Sequence, residues 1–193
     1  PLSLSPAASM LNLLLTLRGD LLTTNGKSFR LKTVNKILVH PYSAFISPNV
    51  LELKDKLLKD RNYFPTSRDL SVDEGLSLLF KQPTDTNDIA ETMQWVAQVL
   101  EYTGKHSIDY EDAFFQESLF RTYTLVNRIN LLINKDILNI QLQTLERLTA
   151  QIVSATSVPF HGEPAEGIQV MGVLETRNLD FDHVLFLSCN EGN

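Results

Sequence analysis

Few stretches of this chain could do chemistry. One is "LETRNLDF", Leu174 to Phe181, set between the apolar runs "IQVMGV" and "HVLFLSC". Glu175 and Arg177 lie two apart, so in extended backbone they share a face. Arg177 offers a planar guanidinium that suits a phosphate, or that pairs with Glu175, Asp180 or Asp182. Asp180 could accept a hydrogen bond from a hydroxyl such as that of a ribose. On the residues alone, an ion-paired structural loop and a nucleotide or DNA-backbone contact are both open. A second stretch gathers Lys27, Arg30, Lys32 and Lys36 over one helix start. Such a cluster is where phosphate contacts belong, or else it is a solvated helix face. Aromatic interleaving there is thin, with only Phe29 in the cluster.

Other motifs resolve to structural readings. "TTNGKSF" contains the Gly-Lys-Ser tail of a phosphate-binding loop, but the glycine required five positions before Gly26 is Leu21, and no strand precedes it. Asn25-Gly26 reads as a turn. None of His40, His106, His161 and His183 is spaced with another ligand as in a metal site. His40 is expected at a helix end, where a cation suits the dipole. In "YEDAFFQE", Glu111, Asp112 and Glu117 sit near a helix start and complement its positive end. No catalytic residue and no metal set is expected in this chain, and no cofactor of its own.

The elements that must position these residues read as mostly helical. "SPAASMLNLLLTL" has Ser5 as N-cap, Pro6 at the first helical position and Gly19 as a stop. "SFRLKTVNKILVH" places Phe29 or Leu31, Val34 and Leu38 at helical spacing. "SPNVLELKDKLLKD" is expected to be capped by Ser47, with Leu51, Leu57 and Leu58 inward. Arg61 to Asp88 reads as a loop, with a short helix within Val72–Phe80. Ile89, Met93, Val96 and Leu100 form one stripe, ending at Gly104. Leu119, Tyr123, Val126, Ile129 and Ile133 form another, and Leu138, Leu142, Leu145, Leu148 and Ile152 a third. These suit a bundle core. After Ala155 the composition shifts to Pro and Gly, and "IQVMGV" and "HVLFLSC" read as strands. Two strands make no stable sheet alone, so they are expected to belong to a sheet with strands elsewhere.

Bulk properties bound the class. The 193 residues are 43% hydrophobic and 21% charged, as in a folded globular chain rather than a disordered one. No apolar run reaches membrane-spanning length. Cys189 has no partner cysteine, which favours a reducing cytoplasm. The start at Pro1 is expected of a piece of something longer. A net charge of −6 argues against a chain whose whole surface binds nucleic acid.

One resemblance gives these parts a common frame. "GIQVMGVLETRNLDFDHVLFLSCNEGN" resembles motif V of superfamily 1 DNA helicases, which in UvrD-like motors reads approximately M-T-x-H-x-x-K-G-L-E-F, then an apolar strand and E-G. Met171, Leu179, Phe181 and Glu191-Gly192 match it. It is more similar to the AddB-like variant of bacterial helicase–nuclease proteins, G-x-x-E-x-R-x-x-x-F-x-x-V, through Gly172, Glu175, Arg177, Phe181 and Val184. "PLSLSPAASMLNLLLTL" resembles the segment after motif IV. The resemblance implies a mainly α fold in three parts: residues 1–20 at the edge of a RecA-like 2A domain, 21–157 as a helical 2B-like insertion, and 158–193 as the strand-loop-strand of motif V. It implies that Asp180, with Arg177, faces a nucleotide ribose and that Gly172, Glu175 and Arg177 lie along the DNA track. Gly172 and Leu174 replace the usual Thr and His and offer no side-chain contact to DNA. A scaffolding or DNA-channelling role is therefore implied, with ATP and Mg used elsewhere in the parent and a PD-(D/E)XK nuclease further on. The implied partners are DNA, the rest of the helicase chain and a second helicase–nuclease subunit. The alternative is a helical protein-interaction module with no nucleotide or DNA role.

Overall fold

The structure, a computed structural model, describes residues 1–158, 183–185 and 187. The chain divides into two compact units, Pro1–Pro159 and Phe160–Asn193. The first is mainly helical. A 3-10 turn at Leu2–Leu4 leads into α1 (Pro6–Thr23), α2 (Leu31–Leu38), α3 (Ser43–Ile46), α4 (Val50–Lys59), α5 (Ser67–Leu70), α6 (Glu74–Leu79), α7 (Ile89–His106), α8 (Ala113–Asn134) and α9 (Leu142–Ala155). No helix among the described residues is long and apolar enough to cross a membrane. The expected strands at "IQVMGV" and most of "HVLFLSC" lie outside the described residues. The described part of the second, His183–Leu185 and Leu187, is irregular and exposed.

Local signals start the long helices. Ser5 accepts from the Ala8 amide at 3.3 Å, and Pro6 occupies the first turn, where its missing N–H leaves no gap. Asp88 and Asp112 cap α7 and α8 through the amides of Glu91 and Phe115, each at 3.0 Å. Asp112, expected only to complement the dipole, is thus also the cap.

Stop signals are less simple. The expected end at Gly19 is not an end: α1 continues to Thr23, because Arg18, Asp20 and Leu21 are held in the interior. The real stop is Asn25-Gly26. Asn25 turns left-handed at φ 52°, and the Gly26 amide reaches back to the Leu21 carbonyl at 2.8 Å. The expected stop at Gly104 likewise lies inside α7.

α1 is the centre of the unit. It packs on α2, α7, α8 and α9, and Leu11, Leu14, Leu15 and Leu17 are all almost completely buried. The boundary expected between residues 20 and 21 falls inside this helix. α7 and α8, joined by a short link, form a hairpin against it. At the far end of the chain, the Leu2 amide donates to the Thr156 carbonyl at 2.8 Å. The beginning of the unit and the residue that follows its last helix are thereby neighbours.

In α4 the inward stripe is Val50, Leu53 and Leu57, while Leu51 and Leu58 face solvent. Of the expected stripe only Leu57 is inward, because "VLELKDKLL" is apolar at two helical phases and α2 covers only one. The N-cap position is Asn49 rather than Ser47. Ser47 instead accepts from the Asn49 amide at 2.9 Å and donates to Asp73. Asp73 also accepts from the Asn49 side chain at 2.9 Å and caps α6 through the Leu76 amide at 2.8 Å. Burial works to raise its pKa, but these bonds win and hold its carboxyl below the usual range. Within the loop-like segment Arg61 to Asp88, α6 is the short helix expected within Val72–Phe80, and α5, capped by Thr66, is an additional one. In α9 the buried residues are Leu142, Leu145, Thr149 and Val153, with Leu148 and Ile152 half-buried beside them.

His40 follows the end of α2, as expected, with its amide on the Ile37 carbonyl at 3.0 Å, but it is not held there as a cation. It is buried between α2 and α3, and its Nδ1 accepts from the Tyr42 amide at 3.1 Å. Burial lowers its pKa, against a bond to the Pro6 backbone that raises it. The folded state thus prefers neutral imidazole. Its contribution is complete above the unfolded pKa of about 6.5 and is lost as pH falls toward the lowered folded value. Urea denaturation at pH 7 and pH 5 should show a smaller acid loss in His40→Gln than in the parent chain. An equal loss in both would assign the effect elsewhere.

Candidate functional site

Lys27, Arg30, Lys32 and Lys36 are all exposed, around the α1–α2 turn and along α2. The turn is braced from below: Gln82 donates through Nε2 to the Gly26 carbonyl at 2.8 Å. α2 presents Leu31, Val34, Ile37 and Leu38 to the core. Lys32 and Lys36, four apart, share its outer side. Arg30 is partly committed. Its Nε lies 3.4 Å from Asp20, and its Nη2 donates to Thr23 at 3.3 Å. Its side chain is more than half exposed, so this pair adds little stability. Among the described residues, Lys27, Lys32 and Lys36 are in no ion pair.

Phe29, the one aromatic within this cluster, does not interleave with the cations and takes an inward place, as does Leu31. The Phe29 ring packs edge-on against Phe80, centroids 5.8 Å apart. The backbone brings in other aromatics instead. Phe29 donates to the Pro65 carbonyl at 2.9 Å and Leu31 to the Tyr63 carbonyl at 3.0 Å. These two bonds lay the segment "KDRNYFP", residues 59–65, beside the start of α2. Tyr63 is 64% exposed and Phe64 60% exposed. Lys59 and Arg61 precede them, with Asp60 between, and all three are exposed. In the sequence this run carried a signal, two cations followed by two aromatics, but its pairing with residues 29–31 is long-range.

Arg61 has an unusual backbone. α4 ends in a Schellman arrangement, with the Asn62 amide on the Leu57 carbonyl at 3.1 Å and the Arg61 amide on Leu58 at 3.2 Å. That places Arg61 in the left-handed region, φ 50°, where glycine is usual. A long basic side chain is kept at a strained position.

Charge is unevenly spread. Between Lys27 and Arg68 there are nine Lys and Arg but three Asp and Glu, a net of +6 in a chain of −6. The remaining residues therefore carry −12. The acidic balance of the whole conceals one basic edge, and lysines there will attract polyanions despite the net sign.

Gly172, Glu175, Arg177 and Asp180 lie outside the described residues, as does His161. His106 and His183 are exposed. Among the described residues no group of three or more His, Cys, Asp or Glu converges as a metal site would. Glu117 pairs with Arg121 at 2.6 Å along α8. Arg18 is the other cation of note. It is 2% exposed, stacks 3.9 Å over Trp95, and donates through Nη1 to the Lys81 carbonyl at 3.0 Å. Burial lowers its pKa to about 10, with Glu91 opposing, so it stays charged at neutral pH. The surface cavity beside it, about 140 Å³, is lined also by Glu91, Gln94 and Gln98. Its mixed charges make a tie between α1 and α7 rather than a single-sign ligand site.

What the described residues define is a mainly α unit with a basic, aromatic-bearing edge. Compared with protein-family models, with curated proteins and with solved structures, the chain matches none.

Proposed function

We propose that the helical unit is an insertion within a DNA-processing protein of the bacterial helicase–nuclease kind, where it guides DNA and catalyses nothing itself. The observation that carries this reading is the meeting of Leu2 and Thr156. An insertion must leave its host domain and return to the same place. The exposed Lys27, Arg30, Lys32 and Lys36 agree with contact to a phosphate backbone. In this reading Asp180 and Arg177 belong to the nucleotide edge of motif V, and Gly172 and Glu175 to its DNA track. ATP and Mg, the rest of the helicase chain and a second subunit complete the assembly, in the cytoplasm.

Fluorescence anisotropy of a labelled oligonucleotide, titrated with the chain, tests DNA contact. Affinity should fall as salt rises from about 50 to 200 mM, and the log–log slope should shrink by about two in the Lys32→Glu/Lys36→Glu variant. No DNA binding even at the lowest salt would refute the reading. The second reading, a protein-interaction module, has one observation of its own. Phe120 and Leu131, both more than half exposed, lie on one side of α8. It would gain if DNA binding were absent.

A further inference from the structure

We infer that Tyr63 and Phe64, flanked by Lys32, Lys36, Lys59 and Arg61, form a stacking site for the unpaired bases of single-stranded nucleic acid. This rests on the reading that the chain contacts DNA, and it names the strand state and the rings that select it. Three observations lead there. Two adjacent aromatic side chains are each about two-thirds exposed, side by side in the chain, whereas the equally exposed Phe120 stands alone on α8 and Tyr42, Phe29 and Phe80 are completely buried. Water penalises such exposure unless a ligand covers it. The rings are not on a loose tail: the Tyr63 and Pro65 carbonyls are tied to the start of α2. Lastly, Lys32, Lys36, Lys59 and Arg61 are all exposed and outnumber the nearby carboxylates Asp60 and Asp69, the second of which is engaged by Asn62 and Thr66.

Flat apolar rings beside a row of cations fit an occupant with both π-faces and phosphates. A duplex offers phosphates, but its bases are stacked on each other and unavailable. An acidic protein segment would use the cations and leave the rings idle. A single strand uses both. The left-handed Arg61 agrees with this, since glycine there would relieve the backbone and lose the cation.

The test uses the whole chain and four probes of equal length: oligothymidylate, an abasic oligonucleotide, duplex DNA and polyglutamate. Both rings are exposed, so Tyr63→Ala/Phe64→Ala should keep the parent's circular dichroism. Oligothymidylate affinity should drop roughly tenfold or more in that variant, while abasic affinity stays the same. Tyr63→Phe/Phe64→Tyr, which keeps both rings, should bind as the parent does. Arg61→Gly should melt at a higher temperature yet bind less tightly. Equal loss on thymidylate and abasic strands, or no loss on either, would overturn the stacking site and leave DNA contact standing. So would duplex bound as tightly as single strand by the parent. Binding to polyglutamate and to no DNA would overturn both the site and the reading beneath it.

Discussion

Gly75→Ala should lower the unfolding free energy by about 3 kcal/mol, near the upper end of overpacking effects. Gly75 sits in the first turn of α6, against the end of α3. A Cβ built there would lie 1.9 Å from the Ile46 carbonyl oxygen and 2.9 Å from its carbon. Both are backbone atoms, so no rotamer change can make room. The φ of Gly75 is not the issue, and the need is for close approach alone. To admit one methyl group, α6 must back away from α3. That would stretch the bonds that Asp73 makes to Ser47 and Asn49. Thermal unfolding followed by circular dichroism would read the change. A drop of about 2–4 °C is expected per kcal/mol in a unit of this size. A variant within about 0.5 kcal/mol of the parent would show that α3 and α6 separate without penalty.

Leu14→Ala should be comparable in size and different in kind, at about 2–5 kcal/mol. Leu14 is completely buried at the middle of α1, the helix on which α2, α7, α8 and α9 converge. Deleting three carbons leaves a hole that several helices line and none can fill by a local shift. Leu51→Ala, in α4, makes the control. Its side chain is 62% exposed, and the change should stay within about 0.5 kcal/mol. Urea denaturation of the pair checks the contrast. Similar losses at both positions would mean that α1 is not the centre of packing.

That contrast shows what a one-dimensional pattern can and cannot give. The cap at Ser5 was legible, because it acts on an amide three residues away, whereas Asp88 and Asp112 make the same kind of cap without being expected as caps, and Asn49 stands at the cap position expected of Ser47. The left-handed stop at Asn25-Gly26 was legible as a turn. Gly19 misled, since a glycine's modest penalty is outweighed when the helix around it is buried. Leu51 and Leu57 could not be ranked from sequence, because the choice between two helical phases is made by α2. The place of His40 at a helix end was legible, but its burial was not, because that depends on packing against the start of α1. For the candidate site, Lys27, Arg30, Lys32 and Lys36 were visible as a cluster, and exposure agrees. Tyr63 and Phe64 were not, because an aromatic pair is by default core, and only the pairing of residues 29 and 31 with 65 and 63 turns it outward. Gly172, Glu175, Arg177 and Asp180 lie outside the described residues.

The contact between Leu2 and Thr156 also bears on how the unit is made. α1 is translated first, yet its burial needs α8 and α9, which are translated last. At about 5–20 residues per second, its leucines must wait on the order of ten seconds for their partners. Until Thr156 leaves the ribosome, the most hydrophobic helix of the unit is without its cover. A nascent chain of this kind is a natural client for a ribosome-associated chaperone, and truncation before α9 should leave a sticky fragment rather than a smaller domain.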